Sequence, residues 1–228
     1  MPWKTKKYST AIKLLIFCIL LCGCNQESNT TLLPYYQDAG FTPIWLDDEA
    51  VELNNFHHIR PFTLVNQLGD TITELDLDEQ IIIADFFFTS CPGICPKMTE
   101  NMAILQEKFR DEPSVRLLSH SVTPKYDSVP ILAEYASAKG VDADNWWLLT
   151  GERSEIYELG RKFYFVEEDL GSTRDIDEFL HTENFVLLDG QRRIRGIYNG
   201  LNLASITQLA EDVKVLLHEM RMDKPPTI

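Results

Sequence analysis

The sequence predicts an α/β domain built on a central mixed sheet with helices on both faces. Residues 81–88, IIIADFFF, form a continuous apolar run, the pattern of a strand covered on both sides at the centre of a sheet. Strand-like and helix-like segments then alternate, as they do where crossover helices join parallel strands. Near the C-terminus the alternation gives way to a strand, turn and strand, FVLLDGQRRIRGIYNG, followed by a closing helix, so the sheet is mixed rather than all parallel.

In chain order, Lys4, Lys6, Lys7 and Lys13 make a basic start, an apolar run Leu14 to Cys22 follows, and LCGC closes the segment at Cys24. This is the pattern of a secretory signal, too short to span a bilayer. Its end resembles the lipobox of bacterial lipoproteins, which implies cleavage after Gly23 and a lipid on Cys24. The polar NQESNTT beyond it suits a tether. The expected division is a signal peptide at 1–23, a tether and N-terminal extension at 24–55, a folded domain at 56–222 and a short tail at 223–228. The extension contains LLPYYQDAGFTPIWLDDEAVE, with exposed-looking aromatics and no sustained period.

Within the domain, FTLVNQ, the turn LGD and TIT read as a hairpin ahead of the central strand. After SCPGICPKM, Met98, Met102, Leu105 and Phe109 recur at helical spacing. VRLLSHSV is then a strand, VPILAEYASAKG a helix stopped by Gly140, and WWLLTG a strand. Ile156, Leu159, Gly160 and Phe163 mark a further helix. Ile206, Leu209, Ala210, Val213, Leu216 and Met220 mark the last one. Thioredoxin-like folds have this layout, with the N-terminal hairpin added. Functional groups in such sheets gather outside the carboxyl ends of the central strands, where IIIADFFF delivers Cys91.

The chain of 228 residues has a formal net charge of −14; losing residues 1–23 removes four lysines and no acid, which takes it to −18. Nucleic acid is therefore disfavoured as a partner. Of the five cysteines, Cys18 and Cys22 leave with the signal and Cys24 takes the lipid. Cys91 and Cys95 remain, and outside the cytoplasm they oxidise unless they are reduced or bound by a metal.

In SCPGICPKM each of these two cysteines precedes a proline, which disfavours the α conformation, so both are expected off the helix proper with Cys95 at its N-cap. A helix N-terminus favours thiolate there. A disulfide closing so small a loop stabilises little. A redox couple and a metal site both remain open on spacing alone, since the usual redox motif has two intervening residues and this loop has three. Two thiolates favour Cu(I), zinc or an iron–sulfur centre.

Among the five histidines, His57, His58 and His218 read as surface residues. His120 reads as a satisfied loop histidine at the end of a strand, with a place behind the metal site as the alternative. His181 stands on the loop entering the final hairpin. Asp85 is an acid inside an apolar strand, either hydrogen-bonded or handling protons. Met98, Trp146 and Trp147 read as core.

FFFTSCPGICPKM, the SVTP after a strand and HTENFVLLDGQRRI together resemble the Sco/SenC copper chaperones of cytochrome oxidase assembly, over roughly residues 56–220. The resemblance implies that Cys91, Cys95 and His181 bind one copper ion. The donor set agrees: two thiolates and an imidazole suit Cu(I) and can accommodate Cu(II). Related oxidoreductases place a proline before the strand facing their cysteines, whereas this chain has none between Ile131 and Lys224 and carries His181 in that stretch. Thr123 departs from the family pattern, which often has an acid there.

The expected function is a metallochaperone anchored by Cys24 to a bacterial envelope membrane, facing the periplasm or cell exterior and delivering copper to a cytochrome c oxidase subunit. A thiol reductant protein would keep its cysteines open. The alternative is a thiol-disulfide reductase in which Cys91 attacks a partner disulfide and Cys95 resolves it. Phe88 stands where peroxiredoxin-like sites carry threonine, which weighs against a peroxidase.

Overall fold

Residues 81–87 are buried without exception, and that requirement organises the domain around them. The computed structural model describes residues 32–46, 53, 55–166 and 182–222. The signal at 1–23, Cys24, the tail at 223–228 and His181 lie outside the described residues.

The hairpin consists of β1 (Thr63–Asn66) and β2 (Thr71–Thr73), followed by a short 3-10 turn at Glu74–Leu77. Strand β3 (Ile81–Phe87), helix α1 (Cys95–Lys108), β4 (Val115–Ser121), α2 (Val129–Lys139) and β5 (Trp146–Thr150) make two parallel crossovers. Helix α3 (Arg153–Glu158) then leads to β6 (Asn184–Leu188), β7 (Ile194–Asn199) and α4 (Leu203–Met222). The seven strands form one sheet in the order β2-β1-β5-β4-β3-β6-β7. Strands β3, β4 and β5 are parallel, while β1, β6 and β7 meet their neighbours antiparallel.

Side chains alternate across β3, so its two faces feed two cores. Ile81, Ile83 and Phe87 pack with Met98, Met102 and Leu105 of α1, Leu132 of α2, and Leu209 and Val213 of α4. Ile82, Ala84 and Phe86 pack on the other face with Leu64, Ile156, Leu159 and Tyr164. Trp146 and Met98 are fully buried, as expected of core residues, whereas Trp147 is half-buried beneath the Arg116 guanidinium. Helix α2 ends at Gly140, whose φ of 70° is the left-handed cap that glycine adopts without strain.

Three local features differ from the sequence reading. Helix α1 already includes Cys95, with Ile94 as the cap whose carbonyl accepts from Lys97 and Met98. Pro96 fits the first turn because its missing N–H has no intrahelical acceptor there. The periodic segment Ile156–Phe163 is α-helical only to Glu158 and continues as a π turn over Leu159–Phe163. The third is the extension, where Tyr35 is buried rather than exposed and residues 32–46 pack onto the domain.

Tyr36 N–H donates to Ile194 O at 3.1 Å, and Tyr35 and Ile44 exchange backbone bonds at 2.8 and 2.9 Å. The buried Arg195 of β7 holds this segment. It donates to Leu33 O at 2.9 Å, pairs with Glu219 at 3.0 Å and Asp189 at 3.5 Å, and stacks 4.0 Å from the Tyr35 ring centre. Arg195→Ala removes the buried cation that pairs with Glu219, while Asp189 keeps Arg193 at 2.9 Å. A loss of roughly 3–5 kcal/mol in urea unfolding is expected, together with faster amide exchange at Tyr35 and Tyr36; unchanged exchange there would show that the segment is held by other contacts.

Candidate metal centre

Because β3 and β4 pair in parallel from Ile81↔Val115 to Phe87↔Ser121, their chains leave the sheet side by side at its carboxyl edge. The cysteine loop leaves from β3 and the SVTPKYD loop from β4. Strand β6 enters at the same edge, since Ala84 pairs antiparallel with Val186.

Cys91 and Cys95 are both free thiols, the first half-buried and the second buried against the α1 core. A turn with Cys91 N–H donating to Phe88 O at 3.3 Å sets the first cysteine. Burial acts to raise the Cys91 thiol, but the Cys95 thiol and the backbone N–H groups of Cys95, Gly93 and Ile94 all donate to its sulfur and bring it below its ordinary value. Such a nest of donors at a helix start stabilises a thiolate. Cys95 goes the other way, pushed up to about 12 by burial, by donation to Cys91 and by the nearby Cys91 and Asp85 charges, against one bond from the Phe88 N–H. The pair is thus one thiolate-prone sulfur and one proton-holding sulfur within hydrogen-bonding reach.

Asp85 lies on the face of β3 that carries these cysteines. It is buried, accepts from Ser119, whose Oγ in turn accepts from Trp146 Nε1 at 2.9 Å, and leaves Oδ1 without a partner. Burial raises its carboxyl from 3.8 to about 7. Thr99 bridges the same region, donating to Cys95 O at 2.9 Å and lying 2.8 Å from the Tyr135 hydroxyl.

His120 corrects its sequence reading. It sits inside β4, fully buried, and it pairs with Phe86, so it belongs to the face opposite Asp85 and the cysteines. Its ring stacks on Phe86 at 4.8 Å, its Nδ1 lies 3.3 Å from the Asp85 carbonyl, and its Nε2 has no partner. Burial pushes it down to about 4, so it is neutral at ordinary pH. His57 is half-buried, with Nε2 2.8 Å from Phe163 O and its ring on Phe165; His58 and His218 are exposed. Among the described residues no group of three His, Cys, Asp or Glu is placed to hold a metal.

One residue of the site carried no sequence signal. Asp127, buried at the end of SVTPKYD, accepts from Thr89 Oγ1 at 2.6 Å, Ser121 Oγ at 2.6 Å and Thr123 Oγ1 at 2.8 Å. Thr123, the departure from the family pattern, is therefore a buried donor.

A family model described as SCO1/SenC matches residues 51–218. The chain belongs to the SCO1/SenC family. It is 34% identical over 162 residues to a SCO1 protein homolog of Bacillus subtilis, covering 69% of this chain and 82% of the relative. Among solved structures, a SCO1/SenC family lipoprotein from Bacillus anthracis is 29% identical with a TM-score of 0.62, over 71% of this chain and 95% of that one. BsSco, a Sco family cytochrome c oxidase assembly protein with a disulfide switch, is 32% identical with a TM-score of 0.60, over 74% and 95% of the two chains. Copper-bound Arabidopsis thaliana ScoI, 24% identical with a TM-score of 0.54 over 70% and 98%, shares the fold. This SCO1/SenC chain thus has the thioredoxin-like Sco fold, in a family of cytochrome c oxidase assembly proteins with copper-bound members. Among its described residues no helix is long and apolar enough to cross a membrane.

The raised Asp85 value has a defined consequence. Between pH 3.8 and about 7 the folded protein keeps a proton that the unfolded chain releases, so this contribution is complete below that window and is lost as pH rises through it. Asp85→Asn, neutral throughout, is expected to match wild type at the acid end and to exceed it by up to roughly 4 kcal/mol above the window in urea unfolding. Parallel pH profiles for the two proteins would mean that Asp85 is ionised in the fold throughout.

Proposed function

We propose that this protein binds one copper ion as cargo through Cys91, Cys95 and His181 and passes it by ligand exchange to the copper site of a cytochrome c oxidase subunit. The observation that carries this reading is the pair of free sulfurs at the carboxyl edge of the sheet, one in a nest of N–H donors and the other beside it. Soft thiolates suit Cu(I), and an imidazole completes a three-donor set that also accommodates Cu(II). His181 precedes β6 by three residues, a span of at most about 11 Å, and β6 enters the sheet at the cysteine edge. A cargo site needs partial exposure for exchange, and Cys91 has it.

The boundaries that accompany this reading are a signal at 1–23, a lipid on Cys24, a tether and extension at 24–55, the copper-binding domain at 56–222 and a tail at 223–228. The Bacillus anthracis relative is a lipoprotein, which supports an anchor on Cys24 and a domain outside the cytoplasm. A reductant protein would return the cysteines to thiols.

The unequal thiols favour one second reading, a thiol-disulfide reductase, and BsSco has a disulfide switch. The Cys91 thiolate would attack a partner disulfide and form a mixed disulfide, and the released partner thiolate would take a proton. Cys95 would then lose its proton, displace the second partner thiol and close the Cys91–Cys95 disulfide.

Cu(I) titration of the reduced protein separates the readings. Wild type is expected to take up one copper tightly and to give it to an apo oxidase copper domain, and His181→Ala to lose at least about tenfold in affinity. Wild-type retention by His181→Ala would remove the imidazole from the site. Reduction of a partner disulfide without copper, undiminished by His181→Ala, would establish the second reading.

A further inference from the structure

We propose that Asp127 is a positioning residue that sets the Cys91 sulfur by clasping the cysteine loop to the loop after β4, with Thr89 and Thr123 as the two ends of the clasp. The carboxylate lies 1% exposed and takes four donors: Thr89 Oγ1 at 2.6 Å, Thr89 N–H at 3.3 Å, Ser121 Oγ at 2.6 Å and Thr123 Oγ1 at 2.8 Å. Among the described residues no Lys, Arg or His pairs with it, and it has no other bond. An ionised carboxylate has acceptor sites for all four of these donors from the two loops, whereas a hydroxyl or an amide oxygen in its place offers two lone pairs. A buried carboxylate unpaired with a cation is costly unless its hydrogen bonds are complete. Here they are complete, and both bonds from Thr89 come from the turn that ends at Cys91.

The chain of contacts is short. Thr123 N–H donates to Ser121 Oγ at 3.1 Å and Asp127 N–H to Thr123 O at 2.9 Å, so the β4 loop is a closed turn around the carboxylate. Ser121 is the last residue of β4, in register with Phe87 at the end of β3, so the clasp rests on paired strands. From Thr89 the chain has one residue before Cys91, whose N–H is tied to Phe88 O. Cys95 is set independently by α1 and its packing in the core. The separation of the two sulfurs is therefore the difference between a helix start and a loop that Asp127 holds. Thr123 matters because it donates; an acid there would set two carboxylates about 3 Å apart, an arrangement in which like charges cannot both ionise freely.

The clasp holds the loop in the geometry that carries both cysteines as free thiols, so its loss is expected to shift the balance toward the disulfide. In exchange with dithiothreitol the protein disulfide gains two electrons and two protons, and dithiothreitol closes to its cyclic disulfide. Thr89→Val removes one donor and leaves the fold's cores untouched; Thr89→Ser keeps the hydroxyl. At fixed dithiothreitol, Thr89→Val is expected to raise the disulfide-to-dithiol ratio at least threefold, and Thr89→Ser to stay with wild type. Thr123→Val should act in the same direction. In Asp127→Asn the Thr89→Val change should add nothing further, because the two act as one unit.

A second arm rests on the copper reading above: Cu(I) affinity of Thr89→Val is expected to fall by about tenfold with that of Thr89→Ser unchanged, the size typical of groups that orient a metal ligand. Wild type that binds no copper would overturn that reading, and the dithiothreitol arm would still judge the clasp. Equal dithiol ratios for Thr89→Val, Thr89→Ser and wild type, at equal thermal stability, would overturn the clasp itself. If Asp127→Asn fails to fold, the three threonine variants decide.

Discussion

Seven consecutive buried residues in β3 can be accommodated only at the middle of a sheet covered on both sides, and they place a chain exit at the centre of the carboxyl edge. Parallel pairing with β4 puts a second exit beside it, and antiparallel pairing with β6 brings a third segment in at the same edge. The chain thus leaves β3 and β4 and enters β6 at one edge of the sheet. The site is a consequence of strand order and direction. The residues of the loops then determine what the convergence can bind.

The same alternation that builds two cores also sorts the polar residues inside them. Asp85 and Ser119 point to the face that carries the cysteines, and His120, one residue along from Ser119, points to the other. Desolvation shifts each toward its neutral form, the acid upward and the imidazole downward. A buried imidazole behind the sheet therefore cannot serve the sulfurs, while the acid on their own face raises the Cys95 thiol. Thiols of opposite tendency come from this geometry: the nest of N–H groups lies around Cys91, and the apolar helix packing and Asp85 lie around Cys95.

Much of this was legible in the sequence because it depended on runs and periods. IIIADFFF marked the central strand, Met98, Met102 and Leu105 marked α1, and Gly140 marked the end of α2. What had no period was missed. Tyr35 and Arg195 bury each other through a buried ion-pair group, and neither type announces burial in a single sequence. The place of Cys95 inside the helix turned on one residue of capping geometry, with Ile94 as an unremarkable cap. Asp127 sat unnoticed in a polar loop because a lone acid there reads as solvated; only the pairing of β3 with β4 brings Thr89 to it. The proline-flanked cysteines were visible at once, but spacing alone left metal and redox chemistry equally open, and His181 entered through likeness to a family.

The central claim is that two sulfurs and one imidazole hold a single copper ion. X-ray absorption at the copper edge of the reduced protein loaded with one equivalent of Cu(I) tests it most directly. Two sulfur scatterers and one imidazole nitrogen are expected in wild type, with the imidazole signal gone in His181→Ala. A spectrum with a single sulfur or none, or an imidazole signal that survives His181→Ala, would contradict the account.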